Sequence, residues 1–239
     1  MKKLILVLSA TLFLFSCGNE AKSDKCAEDC KKEACSHGDK KGHKEGDKKE
    51  SKLMEIGSEN PALEAKLKDI SGEEFHIEAL GKTHGTLIIF SCNTCPFVVG
   101  NGEKSEGWEN RYNEIAKMAG ENEIGFALIN SNEAKRDGVD SFDEMVAHAK
   151  EANYTNIKYM VDANHEVADA FNAKTTPHVY LFNVNNELVY TGAIDDNVDR
   201  KEEVKEHWLK DAMTALAAKK EITTPVTKHM GCSIKRVKK

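Results

Sequence analysis

Two cysteines in the segment Ser91-Cys92-Asn93-Thr94-Cys95-Pro96-Phe97 have the residue type and spacing for thiol–disulfide chemistry. Two intervening residues leave the sulfurs close enough to close an intramolecular disulfide, and such a pair exchanges with outside disulfides through its thiolate. The preceding run, Thr86-Leu87-Ile88-Ile89-Phe90, is short, apolar, rich in β-formers and bounded by Gly85 and Ser91, which predicts a buried central strand. The pair therefore falls at a strand-to-helix junction, where the free amides and partial positive charge of a helix start stabilise a thiolate. On this reading Cys92 lies at the open end, within a substrate's reach, and Cys95 lies one turn along. Pro96 fits the first helical turn, whose amides have no helical partner. Zinc sites also use a Cys-x-x-Cys pair, but normally with a second pair, and the folded region adds only Cys232.

The elements that must position this pair follow from periodicity. Residues 62–70 and 74–80 alternate loosely around Ser71-Gly72 and predict an opening pair of strands. Trp108, Tyr112, Ile115 and Ala119 make a helical stripe over 107–119 with Gly120 as its C-cap. Residues 124–129 are a second buried strand. Ser141-Phe142-Asp143-Glu144 is a capping box that opens a helix with Phe142, Met145, Val146 and Ala149 on its apolar face. A strand over 157–161, a short helix over 165–172, and strands 179–182 and 188–190 around a tight turn follow. A closing helix over 201–219 carries Val204, Trp208, Ala212 and Leu216 inward. Strands alternating with helices predict an α/β domain with helices on both faces of a central sheet. No internal repeat is visible, and no phosphate-binding glycine loop follows a strand.

Composition bounds the rest. The chain has 239 residues, seven of them cysteine, and a net charge of −6. That length suits one ordinary domain plus extensions. The charge argues against nucleic-acid binding through a basic face, and a single long apolar run at the start argues against a multi-span membrane protein.

Residues 1–16 read as a secretory signal: Lys2 and Lys3, then an apolar stretch over 4–15, then small Ser16. Leu14-Phe15-Ser16-Cys17 resembles a bacterial lipobox, which implies cleavage before Cys17 and lipid attachment to it. The alternative is an ordinary signal peptide with an incidental Cys17. The expected address is outside the cytoplasm, on a membrane facing the periplasm or cell exterior, where disulfides persist. Residues 17–52 are expected to be a disordered tether. From Gly18 to Lys52 there is no Val, Ile, Leu, Met, Phe, Trp or Tyr to offset the entropy of ordering. The tether holds Cys26, Cys30, Cys35 and His37, a soft donor set for zinc or copper(I), although the spacing matches no standard zinc module. A solvated spacer whose thiols pair with one another is the other reading.

A second feature accompanies the Cys pair. Thr175-Thr176-Pro177-His178 precedes the strand over 179–182, and only an X-Pro bond adopts cis at modest cost. The runs Ser91-Cys92-Asn93-Thr94-Cys95-Pro96-Phe97, Thr176-Pro177-His178 and Tyr190-Thr191-Gly192-Ala193-Ile194-Asp195-Asp196-Asn197 together resemble the thioredoxin superfamily, in particular its peroxiredoxin-like (redoxin, AhpC/TSA-type) bacterial branch. The resemblance spans residues 53–221, about 70% of the chain, with 222–239 left as a C-terminal tail. It implies a three-layer α/β/α thioredoxin fold with a mixed sheet and thiol–disulfide oxidoreductase activity without a cofactor. It also implies Cys92 as nucleophile, Cys95 as resolving thiol and Pro177 as a cis-proline facing substrate. The implied partners are protein or small-molecule disulfides or thiols.

The departures are specific. The buried Asp that thioredoxins place six residues before the first Cys is Thr86 here, and the Glu that the anchored cytochrome-maturation type places after its pair is Val98. The general base is thus unassigned; Asp195 and Asp196 are candidates, with helix capping as their competing role. Measured back from Cys95, the peroxiredoxin Thr position holds Cys92 and the Pro position holds Ile88, which disfavours peroxide reduction by that mechanism. Thiol peroxidase activity and metal binding through the tether are the alternative functions. Cys232, in Met230-Gly231-Cys232-Ser233-Ile234, is either a third redox thiol or a packed or free tail cysteine. His178 either tunes Cys92 or is a buried hydrogen-bonder.

Overall fold

The computed structural model describes residues 53–238. The signal peptide, Cys17 and the tether with Cys26, Cys30, Cys35 and His37 lie outside the described residues.

The central strands are β3 (Gly85–Ser91) and β4 (Ile124–Asn130), every residue of each buried. Around them lie β1 (Lys66–Asp69), β2 (Glu74–His76), β5 (Lys158–Val161), β7 (His178–Phe182) and β8 (Leu188–Gly192). These seven form one sheet in the order β2-β1-β5-β4-β3-β7-β8. β3, β4 and β5 run parallel, whereas β1, β2, β7 and β8 pair antiparallel with their neighbours. The parallel joins require crossovers, supplied by α2 (Tyr112–Glu121) and α3 (Phe142–Glu151). Of the antiparallel pairs, β1–β2 and β7–β8 are hairpins closed by the turns at Ser71-Gly72 and residues 183–187, whereas β1–β5 and β3–β7 join strands distant in sequence. A separate two-stranded ladder pairs β6 (Thr175–Thr176) with β9 (Cys232–Ser233). The remaining helices are α1 (Pro96–Val99), α4 (Glu166–Ala170) and α5 (Trp208–Ala217).

Period-2 alternation sorts the sheet's side chains into two cores. Leu87, Ile89, Leu128, Val179 and Leu181 face one side, where α2, α3 and α5 add Tyr112, Ile115, Met145, Leu209 and Met213. Ile88, Phe90, Ile129, Tyr180 and Phe182 face the other, covered by Val167, Ala168 and Phe171 around α4 and by Leu67 and Ile77 of the opening hairpin. This is the α/β/α layering expected of a thioredoxin fold. Cys92 and Cys95 belong to the first core.

Three predicted elements differ. The helix expected over 107–119 begins as a 3-10 turn at Glu109–Arg111, and α2 proper runs from Tyr112 past Gly120 to Glu121. Gly107 has φ +68°, which no right-handed helix tolerates, so the helix cannot start there. The closing helix over 201–219 breaks into a 3-10 turn at Lys201–Glu203 and α5, because Asp196 Oδ1 accepts from the amides of Lys205 and Glu206 and holds them in a loop. Val146 is 38% exposed rather than inward, and the α3 core face is carried by Met145 and Ala149. Half of the capping box forms: Ser141 Oγ accepts from the Glu144 amide at 3.3 Å, while the Ser141 amide donates to Gly138 O rather than to the Glu144 side chain.

Residues 222–238, expected as a tail, are hydrogen-bonded along the domain. Thr191 donates to Pro225 O and Thr227 to Thr191 O, both at 3.0 Å, so the chain follows the free edge of β8. It then passes His178, pairs as β9 with β6, and buries Ile234 in the second core.

Phe171 stands edge-on to Phe90, Tyr180 and Phe182 and is fully buried. Urea denaturation should show Phe171→Ala losing about 3–5 kcal/mol, as for other buried aromatics cut to Ala. Val146→Ala should stay within about 0.5 kcal/mol, as surface substitutions do. An equal loss at both sites would contradict this orientation of α3 and α4.

Candidate active site

β3 ends in Ser91 at the carboxyl end of the parallel strands, and the chain turns at once through Cys92 to Cys95. Helix α1 begins only at Pro96, so Cys95, not Cys92, is the residue at its N-cap. The expectation of an open Cys92 and an inner Cys95 is not met: the two are 2% and 3% exposed. Pro96 occupies the first turn as predicted.

The Asn93-Thr94 turn is pinned from below. Asp140, fully buried, accepts from the Asn93 amide at 3.0 Å, from Asn130 Nδ2 at 2.8 Å and from Asn132 Nδ2 at 3.1 Å. Tyr159 donates its hydroxyl to Asn93 Oδ1 at 2.8 Å and receives Asn130 Nδ2 at 3.0 Å. This network joins the ends of β4 and β5 to the thiol turn. Sequence reasoning missed it, although three polar residues in a row at a strand end (Asn130, Ser131, Asn132) marked a buried polar site.

Both sulfurs meet Thr176. Cys92 Sγ lies 3.3 Å from Thr176 Oγ1, and Cys95 Sγ donates to the Thr176 carbonyl at 2.9 Å. The Thr176–Pro177 peptide is cis, which places Pro177 between β6 and β7 at the same spot. From the other side Cys232 is brought in: β9 pairs Cys232 opposite Thr176, and the Cys232 amide points at Cys95 Sγ from 3.4 Å. The structure thus gathers Cys92, Cys95, Pro177 and Cys232, which lie far apart in sequence.

The two buried thiols share protons unequally. Cys92 is raised, first by donating its hydrogen to Cys95, then by burial, with the Asp140 carboxylate adding to the effect. Cys95 is lowered to about 5, first by the hydrogen bond from Cys92, against burial, and further by the thiol and amide of Cys232. The Thr176 carbonyl works the other way, since it accepts only from the protonated Cys95. The donors outnumber that one acceptor, which favours a single negative charge on the reduced pair, shifted toward Cys95. Cys232 is raised to about 11 by burial and by its contact with Cys95.

The other candidates fall elsewhere. Asp195 accepts from Trp108 Nε1 at 2.6 Å and pairs with the buried Arg111 at 2.8 Å, bracing the loop after α1 against the loop after β8. Asp196 caps residues 205–206 as described. Neither serves the thiols. His178 is the buried hydrogen-bonder, 1% exposed, stacked on His229 and lowered to about 3 by burial and then by His229 and Lys174. It stays neutral at ordinary pH. Trp108 is core as expected, whereas Trp208 is only partly buried. A cavity of about 810 Å³ bounded by Leu63, Lys66, Phe142 and Glu166 contains no thiol. Among the described residues no cluster of His, Cys, Asp and Glu is placed to hold a metal ion.

A group whose pKa falls on folding stabilises the folded state above its unfolded pKa, and that contribution is lost as pH falls through the folded value. For Cys95 the window runs from the ordinary thiol value of 9.0 down to about 5. The reduced protein should therefore gain stability over Cys95→Ser as pH rises from about 5 toward 9. Its thiolate ultraviolet absorbance should titrate near pH 5 and vanish in Cys95→Ser, while Cys92→Ser, lacking the donor, should titrate higher. A low-pH titration surviving in Cys95→Ser would place the charge on Cys92 instead.

No protein-family model and no curated protein matches the chain. Solved structures do. An uncharacterized conserved protein from Geobacillus kaustophilus is 28% identical, with 77% of this chain and 93% of that chain covered at a TM-score of 0.67. A hypothetical protein from Sinorhizobium meliloti 1021 is 26% identical, with 78% and 97% covered at 0.68. A thioredoxin-like protein in its oxidized form shares 18% identity over 70% of this chain and all of that one, at 0.51. The domain has the thioredoxin-like fold.

Proposed function

We propose that the protein is a thiol–disulfide oxidoreductase whose redox couple is Cys92 and Cys95. The observation that carries this is the convergence of both sulfurs on Thr176, next to the cis Pro177, with the charge of the pair drawn onto Cys95. A buried thiol is usually inert because burial raises its pKa. Here one partner supplies the proton and the other the charge. The Cys95 thiolate attacks a sulfur of the substrate disulfide, forming a mixed disulfide and expelling the substrate's other sulfur as thiolate. Cys92 then gives up its proton and attacks Cys95 Sγ, which releases the substrate's second thiolate and closes Cys92–Cys95. This exchanges the roles that the family resemblance implies, where Cys92 attacks first. The pair needs no cofactor: the electrons come from an external dithiol.

The address is inferred from sequence: Leu14-Phe15-Ser16-Cys17 supports export and a lipid anchor at Cys17. Thiol peroxidase activity is the weaker reading, since Cys92 stands where the peroxide-positioning Thr would be. The tether's Cys26, Cys30, Cys35 and His37 remain a proposed metal site, with no described geometry behind it.

With a dithiol donor, the full chain should reduce insulin disulfides, and Cys92→Ser and Cys95→Ser should each fall to background. Full activity in either variant refutes the couple. Under the same conditions Cys95→Ser should accumulate no mixed disulfide at position 92, whereas Cys92→Ser combined with Cys232→Ser should trap one at position 95. In cells, palmitate labelling of the wild type that disappears in Cys17→Ser would establish the anchor; labelling of neither would leave Cys17 an ordinary residue of a signal.

A further inference from the structure

We propose that Cys232 is the third member of the redox centre, a thiol that exchanges with Cys95 and carries the disulfide from the buried pair to the surface. This rests on the oxidoreductase reading of Cys92 and Cys95.

Geometry is the first ground. β9 pairs antiparallel with β6 so that Cys232 stands opposite Thr176, the residue whose hydroxyl and carbonyl touch the two buried sulfurs. The Cys232 amide lies 3.4 Å from Cys95 Sγ. Cys92 and Cys95 are both almost wholly buried, while Cys232 is only partly so. An outside thiol or disulfide therefore meets Cys232 before it can meet Cys95.

The seat of Cys232 is the second ground, because it is fixed by contacts on both sides. Before it, Thr227 Oγ1 accepts from the Ala193 amide at 2.9 Å, His229 Nδ1 lies 3.0 Å from Thr175 Oγ1, and the His229 ring stacks on His178. After it, Ile234 donates to Lys174 O at 3.0 Å, Lys235 to Asn132 Oδ1 at 2.8 Å, and Arg236 pairs with Asp169 at 2.7 Å. At Gly231 a Cβ would lie 2.2 Å from the Thr176 carbonyl, so only glycine lets the strand approach this closely. A cysteine on a loose tail would need none of this. The register delivers one particular residue to one particular sulfur.

The exchange balances as follows. Starting from the Cys92–Cys95 disulfide, the Cys232 thiolate attacks Cys95 Sγ. The Cys92–Cys95 bond breaks, Cys95–Cys232 forms, and Cys92 leaves as a thiolate that takes up the proton Cys232 released. No net oxidation occurs. A substrate dithiol then attacks Cys232 Sγ through one sulfur, expelling the Cys95 thiolate. Its second sulfur attacks the mixed disulfide and frees Cys232, so two electrons pass from the dithiol to the protein. A substrate disulfide is reduced by the same steps reversed.

The test maps disulfides in the full chain after thiol quenching and trypsin digestion. Cys92 and Cys95 fall on peptide 83–104, Cys232 on 229–235, and the tether cysteines on others. In Cys92→Ser, mild oxidation should link 83–104 to 229–235 as the dominant product. In the wild type quenched during turnover with a dithiol, the same link should appear beside the intrapeptide Cys92–Cys95 bond. Gly231→Val keeps all three thiols but unseats β9, and should lose the link while still forming Cys92–Cys95. Absence of the link in wild type and in Cys92→Ser overturns the proposal, and so does its persistence in Gly231→Val. If instead Cys232→Ser forms Cys92–Cys95 and reduces insulin at the wild-type rate, the relay fails and the oxidoreductase reading survives. If the link forms but the wild type does not turn over insulin, the reverse holds.

Discussion

Thr176 is the residue on which the site depends. Its hydroxyl approaches Cys92, its carbonyl accepts from Cys95, its peptide bond to Pro177 is cis, and its backbone pairs with Cys232. Three separate stretches of chain thus meet at this residue. Each contact is local, but together they require β3, β7 and the C-terminal segment to be in register. β3 and β7 are paired from Thr86–Phe182 to Phe90–His178, which fixes where the thiol turn and the Thr176-Pro177 turn emerge side by side. The sheet is therefore more than a scaffold under the thiols. Slipping one strand by one residue would send alternate side chains to the wrong core and separate the sulfurs from Thr176.

Burial of the thiols sets the electrostatics. A charge in a dry site is expensive unless it is hydrogen-bonded. The pair answers this by holding one charge between two sulfurs, with Cys92 as the donor, and by admitting the Cys232 amide and thiol as further donors. Asp140 contributes by position. Its carboxylate is occupied by Asn93, Asn130 and Asn132, so it anchors the turn, and its negative charge disfavours a second charge on Cys92. The same carboxylate therefore fixes the geometry and biases which sulfur is charged.

Much of this was legible in the sequence because it is local or periodic. The buried strands β3 and β4, the Ser141 cap and the junction carrying Cys92 and Cys95 follow from residue type and spacing. The proline at 177 announced itself by standing just before a strand. What could not be read was contact across distance. Nothing in Met230-Gly231-Cys232 says that this segment pairs with Thr175 and Thr176, because a two-residue strand has no periodicity to detect. The start of the helix after the thiols was misplaced for a related reason: four residues are too few to show a helical stripe, so Cys95 rather than Cys92 occupies its N-cap. Asp195 could be read as a candidate base or a helix cap, but not as the partner of Trp108 and Arg111, which lie more than 80 residues away.

The departures from the family pattern now bear on one another. A carboxylate beneath the pair would accept a proton from the resolving thiol, and Thr86 cannot do so. In this arrangement that function is less needed. On the proposed mechanism the proton that must leave in the resolving step is on Cys92, which donates it to the sulfur that it will attack. Once Cys95 is tied up in a mixed disulfide, it no longer accepts that hydrogen, and the leading cause of the raised Cys92 pKa disappears. The leaving sulfur of the substrate, departing as a thiolate, is then a base within the same step. On the proposed mechanism, loss of the buried acid and the shift of charge toward Cys95 are two parts of one solution, in which the second thiol supplies the acid–base partner that a carboxylate supplies elsewhere.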